Sequence, residues 1–469
     1  MASEGSIKFD KNSETVTLAI ESESPYGAIS IDWDALFHHS SSSNKSFTHK
    51  RPTNGSIRTF INLMKANIGP GLLTIPDAIK NAGLVFGSCS LMLLGFLSTY
   101  CCHQLLHAYV KVSGSQPMSY SMVAYLTFRK AKPPFKKMAL FMKHLVDFFL
   151  LVTQLGICCV YILFIARMIK EVVHNSYPDL NWDIRIYESI IFALLIPYCF
   201  VTTLKVLAYF TFIANIVALV VLITVFQYVL QHLQPIENVD LIAPNPGTIP
   251  LFFGTAMFAF ECIALILPIE NRMENRAPFH GWNGLFSMAL TLVVCLYVAL
   301  GFYGYLAFGR NSVMILSNMP QTWLYKVLKL LFSIVVFLTF NLQLYVPVHI
   351  LYPPLKSKIK NLTFQKYGEY FVRIGLITFI FCLAISVPCL ELMISFFGAF
   401  AAGSLALVFP PLLEIVCQFH GDVEGSKFKL IKSIILFLFG FVGCAIGSIV
   451  AMETIVTTMQ SPQGCEPDF

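Results

Sequence analysis

Two stretches decide how this chain folds: Phe60-Ile61-Asn62-Leu63-Met64-Lys65-Ala66-Asn67-Ile68-Gly69-Pro70-Gly71-Leu72-Leu73 and Gly254-Thr255-Ala256-Met257-Phe258-Ala259-Phe260-Glu261-Cys262-Ile263-Ala264. Each is an apolar run broken where a membrane helix should continue. Gly69-Pro70-Gly71 removes an amide donor at Pro70 and lets the flanking glycines leave helical dihedrals, which frees backbone groups around Asn67 and Ile68. Glu261 sits near the middle of the run from Pro250 to Ile269, where an ionised carboxylate costs roughly 3 kcal/mol or more unless paired or hydrated. Freed amides and carbonyls are tolerated inside a bilayer only where they line a cavity or are buried in protein, so two such breaks predict one shared ligand site. Each break has a plainer reading beside this one. The first is then a proline kink used for packing, and the second a structural carboxylate that accepts from freed amides.

Outward from the breaks, the whole composition is that of a membrane protein. The chain has 469 residues, 56% hydrophobic and 12% charged, with a mean hydropathy of +0.69; ordinary soluble domains lie far from this. The net charge of +6 does not point to nucleic acid, because the basic residues fall in short loops between apolar runs, the pattern that orients membrane proteins. Allowing roughly 20 residues per crossing, the expected fold is an all-α membrane protein of about eleven spans. Their approximate cores are 57–82, 85–109, 144–170, 186–204, 206–230, 248–270, 283–307, 323–352, 370–388, 391–416 and 430–456. Residues 1–55 read as a disordered cytoplasmic tail, 56–456 as the membrane domain and 457–469 as a short non-cytoplasmic tail. Lys111, Arg129, Lys130, Lys132, Lys136 and Lys137, the loop lysines 356, 358, 360 and 366, and Lys427, Lys429 and Lys432 all fall on one side. That side is expected to be cytoplasmic, and with it the N-terminus. Nearly all thirteen cysteines fall within spans. Cys465 alone reads as exposed, so no outer disulfide is expected.

At the breaks, a helix resuming at Leu72 points its amide end inward and suits a carboxylate, while the carbonyl end of the preceding half-helix suits an ammonium. One α-amino acid presents both groups. The candidate substrate residues at the breaks are therefore Asn67, Ile68, Gly69, Gly71 and Glu261. Gln154 and Tyr345 lie deeper in their spans and read equally as substrate hydrogen-bonders or as helix-to-helix glue. Glu261 leads as the proton-coupling or ammonium-binding group. Asp77 reads as bordering an access path or as facing water; His103, His107 and His349 sit nearer span ends and read as solvated. Metal-type spacing, a cofactor motif and a set of nucleophile, base and oxyanion donors are all missing from the sequence, which argues against an enzyme. Pro76 and Pro268 follow the two breaks at similar distances, a faint echo of two inverted five-helix halves.

Several further stretches carry a resemblance. Lys65 to Leu73, Ala78-Ile79-Lys80-Asn81-Ala82-Gly83, Val146-Asp147-Phe148-Phe149 with Thr153-Gln154-Leu155-Gly156, Pro268-Ile269-Glu270-Asn271, Gly304 to Gly309 and Pro410-Pro411-Leu412-Leu413-Glu414 together resemble the proton-coupled amino acid transporters, a branch of the amino acid and auxin permeases. The resemblance spans Ser56 to Val456. It implies a leucine-transporter-like 5+5 inverted repeat with spans one and six broken, and symport of small neutral amino acids with protons. It also implies that Asn67 to Gly71 and Phe258 to Cys262 form the substrate site. This chain departs from the family where Asn62 replaces a histidine, Pro70 a threonine and Asp77 an apolar residue; Thr322 replaces an outer cysteine. Sodium-coupled or uncoupled transport, and an amino-acid sensor signalling through its tail, are the competing functions. Tyr26-Gly27-Ala28-Ile29 resembles a sorting signal, so the plasma membrane and endosomal or lysosomal membranes are both expected locations.

Overall fold

A computed structural model describes residues 55–460 except Ile68, 114–115, Asn181, 202–203, Arg272, 274–276, Trp282, 359–361 and 420–426. The calls on residues 1–54 and 461–469, and on Ile68, therefore lie outside the described residues. The described chain is almost wholly helical. In order, the helices are α1 (Ser56–Asn67), α2 (Pro70–Leu73), α3 (Ile75–Ala82), α4 (Leu84–Ser113), α5 (Tyr120–Lys130), α6 (Ala139–Ser176), α7 (Ile184–Tyr198), α8 (Leu204–Gln231), α9 (Ile249–Ala259), α10 (Ile263–Glu270), α11 (Leu285–Phe308), α12 (Ile315–Asn318), α13 (Trp323–Lys358), α14 (Leu362–Ser386), α15 (Leu390–Phe397), α16 (Phe409–Cys417) and α17 (Lys427–Gln460).

Nine helical stretches among the described residues are long and apolar enough to cross a membrane. The first expected span is divided among α1, α2 and α3, and the fourth is α7, of 15 residues. Local chemistry sets these boundaries. Pro70 occupies the first turn of α2, where its missing N–H costs nothing, and Gly69 before it is extended. Asp183 caps α7 by accepting from the Arg185 amide at 3.0 Å, and Ser119 caps α5.

Lipid tails are as apolar as leucine, so helices here associate through close packing rather than through burial from water. Small residues supply the closeness: a Cβ on Gly440 would lie 2.8 Å from Leu407, and one on Gly447 2.8 Å from Ala399, so α17 lies flat against the segment 398–408. That segment is wound as two consecutive π-turns, Gly398–Ala402 and Ser404–Val408, which link α15 to α16. Apolar all round, α6 is buried along most of its length and forms the spine against which α13, α5, α7 and α15 pack.

At the end of the bundle away from the lysine-rich loops, α6 carries a buried charge network. Lys329 donates to Glu171 at 2.8 Å, Ser317 donates to the other oxygen of Glu171 at 2.6 Å, and Arg167 lies 3.4 Å from Glu171 while pairing through its guanidinium with Glu391. Asp77 and Lys80 of α3 pair at 2.8 Å nearby. Asp77 is thus buried and paired, which settles the sequence alternative against simple exposure to water. His103 and His349 are half-buried rather than solvated: the first bonds Ser287 at 2.7 Å, and the second is stacked on Tyr345.

One expectation fails. Cys389 forms a disulfide, whereas the sequence reading expected none; the other described cysteines are free, so its partner lies outside the described residues. The reading left too short a turn between spans nine and ten for a thiol to emerge. Instead α14 stops at Ser386 and residues 387–389 are non-helical, which places Cys389 in a connection at the network's end of the bundle.

Removing Glu171 leaves Arg167 and Lys329 buried without their shared anion, a loss of about 3–5 kcal/mol. Glu171→Ala is therefore expected to lower the thermal unfolding midpoint of the purified protein sharply. Arg310→Ala, which breaks only the exposed pair with Asp240, should leave that midpoint unchanged.

Candidate functional site

The two breaks meet. A Cβ on Gly71 would lie 3.1 Å from the Cα of Ala259 and 3.2 Å from the ring of Phe258, so the start of α2 runs directly over the end of α9. Beside this contact the backbone opens, for a Cβ on Gly69 would meet no atom within 4 Å. In the second break, Glu261 and Cys262 are non-helical; the Glu261 amide still bonds Phe258 O at 3.3 Å and the Cys262 amide bonds Phe260 O at 2.9 Å. The chain thus turns tightly and restarts as α10 at Ile263. No proline makes this break, unlike the first.

A tyrosine from a third helix joins the halves. The hydroxyl of Tyr297, on α11, donates toward the carbonyl of Asn67, the last residue of α1, and toward the carbonyl of Ala259, the last residue of α9, at 3.0 Å for the latter. Both acceptors are C-terminal helix carbonyls, which carry negative partial charge. Tyr297 is fully buried, and Phe260 stacks on its ring at 5.2 Å.

Three buried side-chain oxygens have no hydrogen-bond partner among the described residues: Asn67 Oδ1 and Glu261 Oε1 at the two breaks, and Gln154 Oε1 on α6. All three are acceptors in the form drawn, so what they lack is donors. The amide nitrogen of Asn67 is occupied, donating back to Leu63 O at 2.9 Å. Tyr161 of α6 lies within electrostatic reach of Glu261 and bonds Gln343 and Thr339 of α13. Gln154 is two turns from Tyr161 on the same helix, a spacing that puts both on one face.

The candidate residues divide accordingly. Asn67, Gly69, Gly71, Phe258 and Glu261 cluster at the junction, while Gln154 lies on α6, on the face it shares with Tyr161. Phe260 stacks on Tyr297. The thiol of Cys262 bonds that of Cys102 on α4, which is packing contact. Tyr345 stacks on His349 at 3.7 Å, near the lysine-rich end of α13. Tyr297 and Tyr161 were missed from sequence, since a tyrosine in an apolar span gives no sign of what its hydroxyl meets. Among the described residues there is no cluster of side chains able to hold a metal ion.

The sequence matches known proteins along most of its length. A family model described as "Transmembrane amino acid transporter protein" matches residues 52–453. The protein named "Proton-coupled amino acid transporter-like protein pathetic" of Drosophila melanogaster is 29% identical over 403 residues, covering 85% of this chain and 84% of that protein. "Vacuolar amino acid transporter 4" of Saccharomyces cerevisiae is 26% identical over 424 residues, 83% of this chain and 56% of the yeast protein.

The glycines around the junction differ in what they tolerate. A Cβ on Gly398 would lie 1.9 Å from the carbonyl oxygen of Gly254, a contact that only backbone movement relieves. Gly398→Ala is expected to abolish folded protein in the membrane. Gly69→Ala, pointing into open space from an extended backbone, should accumulate normally, and binding measurements on it should show weakened affinity that worsens with ligand size.

Proposed function

The chain belongs to the transmembrane amino acid transporter family, and on that premise we propose that it carries small neutral amino acids together with protons, by alternating access, through the junction of its two breaks. The observation that carries this reading is the convergence of two C-terminal helix carbonyls beside a buried carboxyl oxygen that lacks a partner. Helix carbonyl ends and unpartnered acceptors call for an ammonium. Across the break, the helix that restarts at Pro70 has no amide at Pro70 and spends that of Leu72 on Gly69 O at 3.1 Å, which leaves the Gly71 amide as the group suited to a carboxylate. An α-amino acid answers both demands. The apolar wall at Phe258 and the close crossing at Gly71 favour a small neutral side chain.

Glu261 takes up a proton with the substrate on one side and yields it on the other. Its position, directly after the end of α9 and without a basic partner among the described residues, suits a group that changes charge during the cycle rather than one locked in an ion pair. The two divided helices rock against the spine formed by α6 and α13, in two inverted five-helix halves. With the lysine-rich loops and the N-terminus in the cytoplasm, amino acid and proton enter from the outer or luminal side, at the plasma membrane or an endosomal or lysosomal one. The Drosophila relative's name supports proton coupling and the yeast relative's name a vacuolar setting.

The test is uptake of labelled glycine, alanine and proline by cells with low background, at acidic and neutral outer pH, with sodium replaced by choline. Uptake is expected to rise severalfold on acidification and to ignore sodium. Glu261→Gln should lose proton-driven accumulation yet keep exchange of internal for external amino acid. Wild-type coupling in that variant would overturn the assignment.

A further inference from the structure

Tyr297 does something that the transport reading leaves unused. Its hydroxyl has one hydrogen and faces two carbonyl oxygens, Asn67 O and Ala259 O. Those carbonyls close two separate half-helices, α1 and α9, which share no stretch of sequence. A buried carbonyl left without a donor is costly, and a helix end concentrates negative potential there. The hydroxyl therefore meets, with a single hydrogen, a need that an ammonium would meet with three.

We infer that Tyr297 is a positioning residue that stands in for the substrate's ammonium group: it holds the ends of α1 and α9 together while no amino acid is bound, and gives up one or both carbonyls when an amino acid binds. This inference rests on the transport reading above. It assigns the residue a step of its own, the return of the unloaded carrier across the membrane, since that step must be made with both helix ends satisfied by protein alone. The loaded carrier crosses with the ammonium in place and needs the hydroxyl less. The ring is fixed for this purpose, because it is fully buried and Phe260, from the second break itself, stacks against it; a small movement of the break therefore moves with the hydroxyl rather than away from it. Asn67 also carries a side-chain Oδ1 without a hydrogen-bond partner among the described residues, so the residue whose carbonyl the hydroxyl holds offers an incoming donor a second acceptor.

The experiment separates two fluxes in proteoliposomes of the purified full chain, with labelled alanine outside. Net uptake into empty vesicles requires the unloaded return; exchange against unlabelled alanine inside does not. Tyr297→Phe keeps the ring and removes the hydroxyl, which leaves both carbonyls without a donor in the unloaded carrier. Net uptake per transporter is expected to fall roughly tenfold or more, while exchange stays within about threefold of wild type and keeps its wild-type pH profile. That retained profile distinguishes the variant from Glu261→Gln. Tyr297→His, which keeps a ring N–H donor, is expected to recover part of the net uptake. Equal losses of net uptake and exchange in both variants, or no loss of net uptake in Tyr297→Phe, would overturn the inference. Failure of the transport reading itself is read separately, from wild-type vesicles that show neither flux.

Discussion

Everything in this fold follows from one constraint: a peptide group freed from its helix inside hydrocarbon has no water to turn to. Two helices are broken, and each break ends in carbonyls that need donors. The protein answers with a single phenol. Tyr297 reaches Asn67 O and Ala259 O from α11, and the contact between Gly71 and Ala259 brings the two breaks close enough for one hydroxyl to serve both. A Cβ at position 71 would press on the Ala259 Cα at 3.1 Å, so the two breaks would have to part by a few tenths of an ångström. The junction is then neither loop nor helix, but a place where backbone chemistry is available to a ligand and otherwise sealed by protein.

The two breaks reach this state differently, and the difference explains what the sequence disclosed. In the first, Gly69-Pro70-Gly71 forbids a continuous helix by sterics and by the missing amide, so its position was legible to the residue. In the second, nothing in Phe260-Glu261-Cys262 forbids a helix; only the improbability of a carboxylate in mid-span marked it. The chain leaves helical geometry there because Phe260 is drawn onto Tyr297 and Cys262 onto Cys102, contacts made 37 and 160 residues away in sequence. That is also why Phe260 and Cys262 read as substrate residues by resemblance, while the structure gives their side chains to packing.

The same separation governs the rest. The apolar runs marked eleven spans by length and hydropathy; most of each run is helical where it is described, and nine helical stretches are long and apolar enough to cross a membrane, because spanning length is a local property. Pairings between spans are not. Arg167 and Glu171 of α6, Lys329 of α13 and Glu391 of α15 lie near the ends of three separate stretches, where charged residues ordinarily face headgroups or water, and nothing in the linear order joins the three. Cys389 was hidden by the same habit, its three-residue connection being too short to register as a loop. Gln154 and Tyr345 looked alike in sequence, as polar groups in deep positions. Helix α6 puts Gln154 on one face with Tyr161, which lies within electrostatic reach of Glu261, whereas α13 turns Tyr345 toward His349.

The placement of groups along α6 gives the fold its internal economy. Tyr161 reaches toward Glu261 and shares its face with Gln154, and Arg167 and Glu171 anchor the charge network at one end of the bundle. From Gln154 to Arg167 is thirteen residues, about 20 Å of continuous buried helix at 1.5 Å per residue. Arg167 holds Glu391 at the start of α15, and α15 runs straight into the π-turns that cross α9 at Gly254. The network and the junction are therefore tied through α15, which packs on α6 at one side and on α9 at the other. Of these, α6 is regular helix, whereas the segment after α15 leaves regular helical geometry where it crosses α9.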